Sequence, residues 1–191
     1  MKWTTEVLAL FLPPDEAETV SGDLVEEYHD SILPAVGKAH ADLWLARQVA
    51  GFVWRAPLAW GLIVAACMSG RFAIDTFAPP ADYGPRSFVT TWAAILIYLS
   101  AAAWSSHRTG RISSGLLVAA AAHGIGWSLN GVVTIAIFVA AIRSQPEMVR
   151  VFEATGGWDE IWFLPVMMLP VVLALGSVGG AFGRLARRTR A

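Results

Sequence analysis

The chain holds one cysteine, Cys67, set inside an apolar run. An internal disulfide is therefore excluded, and nothing about redox compartment follows from it. Charge is scarce too: Asp, Glu, Lys and Arg make up 15% of the 191 residues, against about 25% in ordinary soluble domains. No basic patch with interleaved aromatics lies outside the apolar runs, which argues against a nucleic-acid face. No nucleophile elbow, phosphate-cradling glycine loop or metal-spaced cysteine set occurs. An ATPase role is excluded on that ground, and no enzyme activity, cofactor or metal is expected. The run 1–12 contains Glu6 and ends in Pro-Pro without a basic leader or small-residue cleavage site, so no cleavable signal peptide is expected.

What the chain has in abundance is apolar sequence, 55% of all residues, concentrated after residue 55. Such runs cross a hydrocarbon core of about 30 Å as helices. The expected fold is an all-α membrane protein: an N-terminal cytoplasmic three-helix module over 1–55, a four-helix transmembrane bundle over 56–183, and a basic cytoplasmic tail over 184–191. The spans are expected at about 57–77, 88–104, 112–142 and 161–183. Arg71 and Asp75, four apart, are placed to pair at the end of the first. The third run has 31 residues, about 46 Å as a straight helix, so it is expected to tilt, project or bend at Gly124–Gly126. Pro165 and Pro170 predict a kink in the fourth.

Basic residues set the orientation. With the N-terminus inside and four spans, ten lie on the inner side, including Lys38, Arg108, Arg111, Arg184, Arg187, Arg188 and Arg190. Four (Arg71, Arg86, Arg143, Arg150) lie outside. That bias predicts a multi-pass membrane protein with both termini cytoplasmic.

Residues 1–37 carry eight acids and one base. Asp15, Glu16, Glu18, Asp23, Glu26 and Glu27 flank an apolar line, Ala17, Val20, Leu24 and Tyr28, at helical spacing. They form a candidate docking face for a protein partner. Gly22 is expected to allow a close helix contact. Flanking helices are expected to bury Trp3, Val7, Leu10 and Phe11, and Ala39, Leu43, Ala46, Ala50 and Val53. Glu26 and His29 share the spacing of half a di-iron motif, but no second half exists, and a solvated face is the simpler reading.

Two further patterns lie in the apolar runs. His123, Trp127, Asn130 and Thr134 make one stripe at spacings of four, three and four. Polar residues at such depth face the bundle, either for interhelical hydrogen bonds or for a ligand or proton. Gly176, Gly179, Gly180 and Gly183 form two overlapping GxxxG patterns. They let backbones approach closely, against another span or against a second copy in a homo-oligomer.

The N-terminal residues also carry a resemblance. Leu12-Pro13-Pro14, Gly22-Asp23-Leu24, Glu26-Glu27-Tyr28, Trp44 and Arg47-Gln48 match the pattern of the permease prefix domain, over about residues 3–56. That module is a small cytoplasmic helical domain ahead of the first span in some bacterial ABC-type permeases and on short stand-alone membrane proteins. A related pattern accompanies PadR-like transcription regulators. The resemblance implies no catalytic residue. The loops here are short, without the large extracytoplasmic domain of those permeases, so the stand-alone form fits better. The expected function is a non-enzymatic regulatory, accessory or signalling subunit. The alternative is a small transporter or permease component using His123, Asn130 and Thr134.

Overall fold

The computed structural model describes residues 2–154 and 156–189. Met1, Arg190 and Ala191 lie outside the described residues, and so does that part of the basic tail. The described residues are mostly helical, with no strand among them.

The N-terminal third contains α1 (Lys2–Leu8), α2 (Pro14–Glu27), α3 (Leu33–Val36) and α4 (Lys38–Val53). Pro14 occupies the first turn of α2, where its missing N–H costs nothing. Asp15 and Glu16 fall in the same turn, beside the positive end of the helix dipole. A single π-helical turn, Tyr28–Ile32, joins α2 to α3. There the Leu33 N–H bonds the Tyr28 carbonyl, five residues back. This wider turn lets the chain pass through Pro34, whose ring would collide with a normal helical carbonyl. The helical run therefore continues past Pro34 to Gly37, where a φ of 75° ends it.

Leu8, Ala17, Leu24, Tyr28, Ala41, Leu45 and Val49 share one apolar cluster. Two of the expected faces are rotated from it. In α1 the buried residues are Thr4 and Leu8, and Trp3 is exposed. Ser21 of α2 satisfies Thr4, Oγ to Oγ1, at 2.8 Å. In α4 the buried line is Ala41, Leu45 and Val49, while Leu43 points outward. Both helices carry apolar residues on two sides, and the tertiary partner decides which side is covered. Gly22 also differs: a Cβ there would meet nothing within 4 Å.

Four helices are long and apolar enough to cross a membrane: α5 (Arg55–Phe77), α6 (Gly84–Thr109), α7 (Ile112–Ile137, continued by a π-helical turn to Ile142) and α10 (Leu164–Arg188). Their ends depart from the apolar runs for local reasons. Pro85 starts α6 early, and Gly110 ends it in the left-handed conformation (φ 75°), so Arg86 and Arg108 lie inside the helix. Pro165 falls in the first turn of α10, which leaves Pro170 as its interior proline. Arg184, Arg187 and Arg188 continue α10 rather than forming a separate tail. The third run passes through Gly124–Gly126 without interruption.

Between α7 and α10 lie two short helices, α8 (Pro146–Ala154) and α9 (Gly157–Trp162). The bundle has α7 against α5, α6 and α10, with α10 also against α6. Its near end carries the α6–α7 turn and the N-terminal helices. Its far end carries α8 and α9.

Candidate functional site

The two ends of the bundle are packed differently. At the near end, α10 lies on α6 and α7 through its glycines. A Cβ at Gly176 would stand 3.2 Å from the Leu116 Cα of α7. One at Gly179 would stand 2.6 Å from the Leu99 carbonyl oxygen, and one at Gly183 would land on the Ala103 backbone, both on α6. Gly180 faces Ser106 and Ile112. The two GxxxG patterns thus meet helices of the same chain.

Toward the far end the helices part around a cavity of about 820 Å³. Its wall is mostly aliphatic, from Met68, Ala94, Ile95, Met168, Val172 and Leu175. Three sets of polar side chains interrupt it.

The deepest set centres on His123, 4% exposed. Its Nε2 lies 2.8 Å from the Pro165 carbonyl oxygen, and its Nδ1 lies 3.0 Å from the Tyr98 hydroxyl. A carbonyl only accepts, so Nε2 carries a proton. In the neutral ring Nδ1 then accepts from Tyr98. One imidazole so ties α6, α7 and α10 together.

The second set is Asn130, whose Oδ1 accepts from the Ser69 hydroxyl of α5 at 3.1 Å. Thr134, last of the stripe, does not line the cavity. It is buried, and its Oγ1 has no partner among the described residues. The stripe therefore divides: His123, Trp127 and Asn130 face the cavity, and Thr134 does not.

The third set is ionic and lies at the far rim. Asp75 accepts from Arg71 Nε at 3.2 Å and from Arg86 Nη1 at 3.0 Å. Arg71 Nη2 also donates to the Ser87 hydroxyl. Glu160 of α9 lines the same rim and has no ion-pair or hydrogen-bond partner among the described residues. Burial raises its carboxyl above the ordinary value of 4.5, Arg71 opposes that shift, and Asp75 adds to it.

An aromatic cluster holds the short helices over this end. Phe152 of α8 and Trp158 of α9 both stack near Phe138, with centroids 5.0 Å away in each case. Phe72 of α5 meets Phe152 edge-on at 6.1 Å. Phe138 opens the π-helical turn of α7, and Ile142, which closes it, reaches the cavity.

On the opposite side of the molecule, Asp15, Glu16, Glu18, Asp23, Glu26 and Glu27 are all exposed. Glu16 is the member paired across elements: Arg108, at the end of α6, donates to it at 3.1 Å. Arg111 Nη1 also donates to the Ala9 carbonyl at 3.2 Å. The basic residues that reach the N-terminal helices thus come from the α6–α7 turn. Arg187, of the expected tail, instead donates to the Arg108 carbonyl at 2.9 Å. Within the N-terminal helices, Asp42 accepts from Tyr28 and Lys38. The Lys38 and then the Tyr28 hydrogen bond hold its carboxyl below the ordinary value. Among the described residues, no three His, Cys, Asp or Glu side chains gather as a metal site.

Sequence reasoning passed over Tyr98, Glu160 and the Arg86–Asp75 pairing. Tyr98 carried a usable signal, a phenol in the middle of an apolar run. Glu160 carried none, since Arg71 and Asp75, the charges that act on it, belong to α5, far from α9 in the chain. Comparison with protein-family models, curated proteins and solved structures finds no match.

Proposed function

We propose that this chain is a non-enzymatic, multi-pass protein of the bacterial cytoplasmic membrane that acts as a regulatory or accessory subunit. In this reading α5, α6, α7 and α10 span the bilayer, and both termini are cytoplasmic. The helices of residues 2–53 form a cytoplasmic module with the prefix-like pattern. Their exposed carboxylates dock a partner with a basic surface.

The observation that carries the reading is the link from the acidic helix to the α6–α7 turn, through Glu16–Arg108 and Ala9–Arg111. Helices α6 and α7 supply Tyr98, His123, Trp127 and Asn130 to the cavity. A partner on the module and a ligand in the cavity would therefore act on the same pair of helices. The exposed Glu16–Arg108 pair is worth at most about 1 kcal/mol. Such a joint is weak enough to yield to either event.

The test is affinity capture of the full chain under mild solubilisation, beside a D23K/E26K/E27K variant. A reproducible partner that is lost with the variant supports docking. Equal capture by both proteins, or no reproducible partner, refutes it.

A second reading, a small transporter or permease component, draws on His123 and Asn130 at the cavity wall. H123L would then abolish transport or the associated phenotype, and an unchanged phenotype would exclude that reading.

A further inference from the structure

The wall of the cavity combines three properties that constrain its occupant. It is roomy: 820 Å³ lies within the range of about 300–1,000 Å³ typical of small-molecule sites. It is aromatic as well as aliphatic, with Phe72, Tyr83, Tyr98, Trp127 and Phe152 all exposing surface to it. Its ionic rim is unevenly satisfied. Arg71 and Asp75 are committed to each other, Arg71 also to Ser87, and Asp75 also to Arg86. Glu147, which also lines the rim, is held by Arg150 at 2.6 Å. Glu160 remains as the rim carboxylate without a partner among the described residues.

A partly buried carboxylate that no basic side chain pairs with directly is stabilised most by a cation. Aromatic faces attract cations in the same sense, through their negative quadrupole. An anion would meet the opposite situation: the lining guanidinium is already engaged, and Glu160 would repel it.

We infer that the cavity is a binding site for a hydrophobic organic cation, its apolar body against Met68, Ala94, Met168 and Val172 and its charge near Glu160. The assignment gives the bundle of the proposed regulatory subunit something to sense, and it rests on that reading. Partner capture and ligand binding are measured separately, so either can fail alone.

The experiment uses the full chain in nanodiscs of zwitterionic lipid, with empty nanodiscs subtracted. The probes are tetraphenylphosphonium and tetraphenylborate, which share a shape and differ in sign. Saturable binding of tetraphenylphosphonium at one site per chain is expected, without saturable binding of tetraphenylborate. E160Q keeps the shape of the side chain and should weaken the cation about tenfold or more. A94W fills the cavity from α6 and should abolish binding. Both variants are first checked for unchanged elution and helical content. If E160Q alone fails that check, E160D takes its place and should weaken the cation less than A94W does. Equal binding of the two probes, full affinity in E160Q, or no saturable cation binding overturns the inference.

Discussion

The contact between α10 and α6 makes a quantitative prediction through Gly179. A Cβ at this position would lie 2.6 Å from the Leu99 carbonyl oxygen, 3.0 Å from the Ala102 Cβ and 3.1 Å from the Leu99 Cα. Ordinary contact begins near 3.4 Å, so G179A is short by about 0.8 Å against backbone. No rotamer change relieves a backbone clash, so the helices must separate along their contact. A gap of 0.5–1 Å forfeits about a quarter to a half of the dispersion energy of the atoms concerned. The overall cost should be about 1–3 kcal/mol, as for other overpacked cores. Gly124 is the internal control. It lies on a long helix too, but a Cβ there meets nothing within 4 Å. The assay is reversible unfolding in mixed micelles, read by circular dichroism. G179A should lower stability by that amount, and G124A should change it by less than about 0.5 kcal/mol. Equal effects from the two substitutions would refute backbone packing through the α10 glycines.

Other substitutions follow from the same geometry. G22A adds a methyl group to an open helix surface and should stabilise the N-terminal helices by about 0.5–1 kcal/mol, seen as a later unfolding midpoint. Y98F removes the hydroxyl bonded to His123 Nδ1 and should cost about 1–3 kcal/mol, because a buried acceptor is left unmatched. A Y98F/H123L pair should cost less than the sum of the single changes in a double-mutant cycle. Burial raises the Glu160 carboxyl above its ordinary 4.5, with Arg71 opposing and Asp75 adding to the shift. Its neutral form is the one favoured by the folded protein. That contribution to stability is fully present below 4.5 and is lost as pH rises through the higher native value. Binding of tetraphenylphosphonium should move the opposite way, strengthening over the same interval, and E160Q should flatten both profiles.

Much of the fold was legible because each apolar run is long and each is bounded by residues with strong backbone preferences. The four long helices follow from length and composition alone. Their ends do not, because Pro85, Gly110 and Pro165 act through backbone geometry while charge positions such as Arg86 and Arg108 can remain helical. Burial in α1 and α4 was ambiguous for another reason. Each helix offers two apolar stripes, and the choice of Thr4–Leu8 or Ala41–Leu45–Val49 depends on the partner surface. The His123–Asn130 stripe was visible as polar residues at helical spacing in an apolar run. The surroundings of Glu160 were hidden, since they bring together residues far apart in the chain.

In the proposed topology a four-span bundle keeps its acidic helices and its C-terminus on the cytoplasmic side. Paired fusions of green fluorescent protein and alkaline phosphatase, placed after Ala191 and within the α5–α6 loop at Asp82, test it most directly. Fluorescence without phosphatase activity is expected after Ala191, and phosphatase activity without fluorescence at Asp82. Phosphatase activity after Ala191, or fluorescence at Asp82, would contradict it.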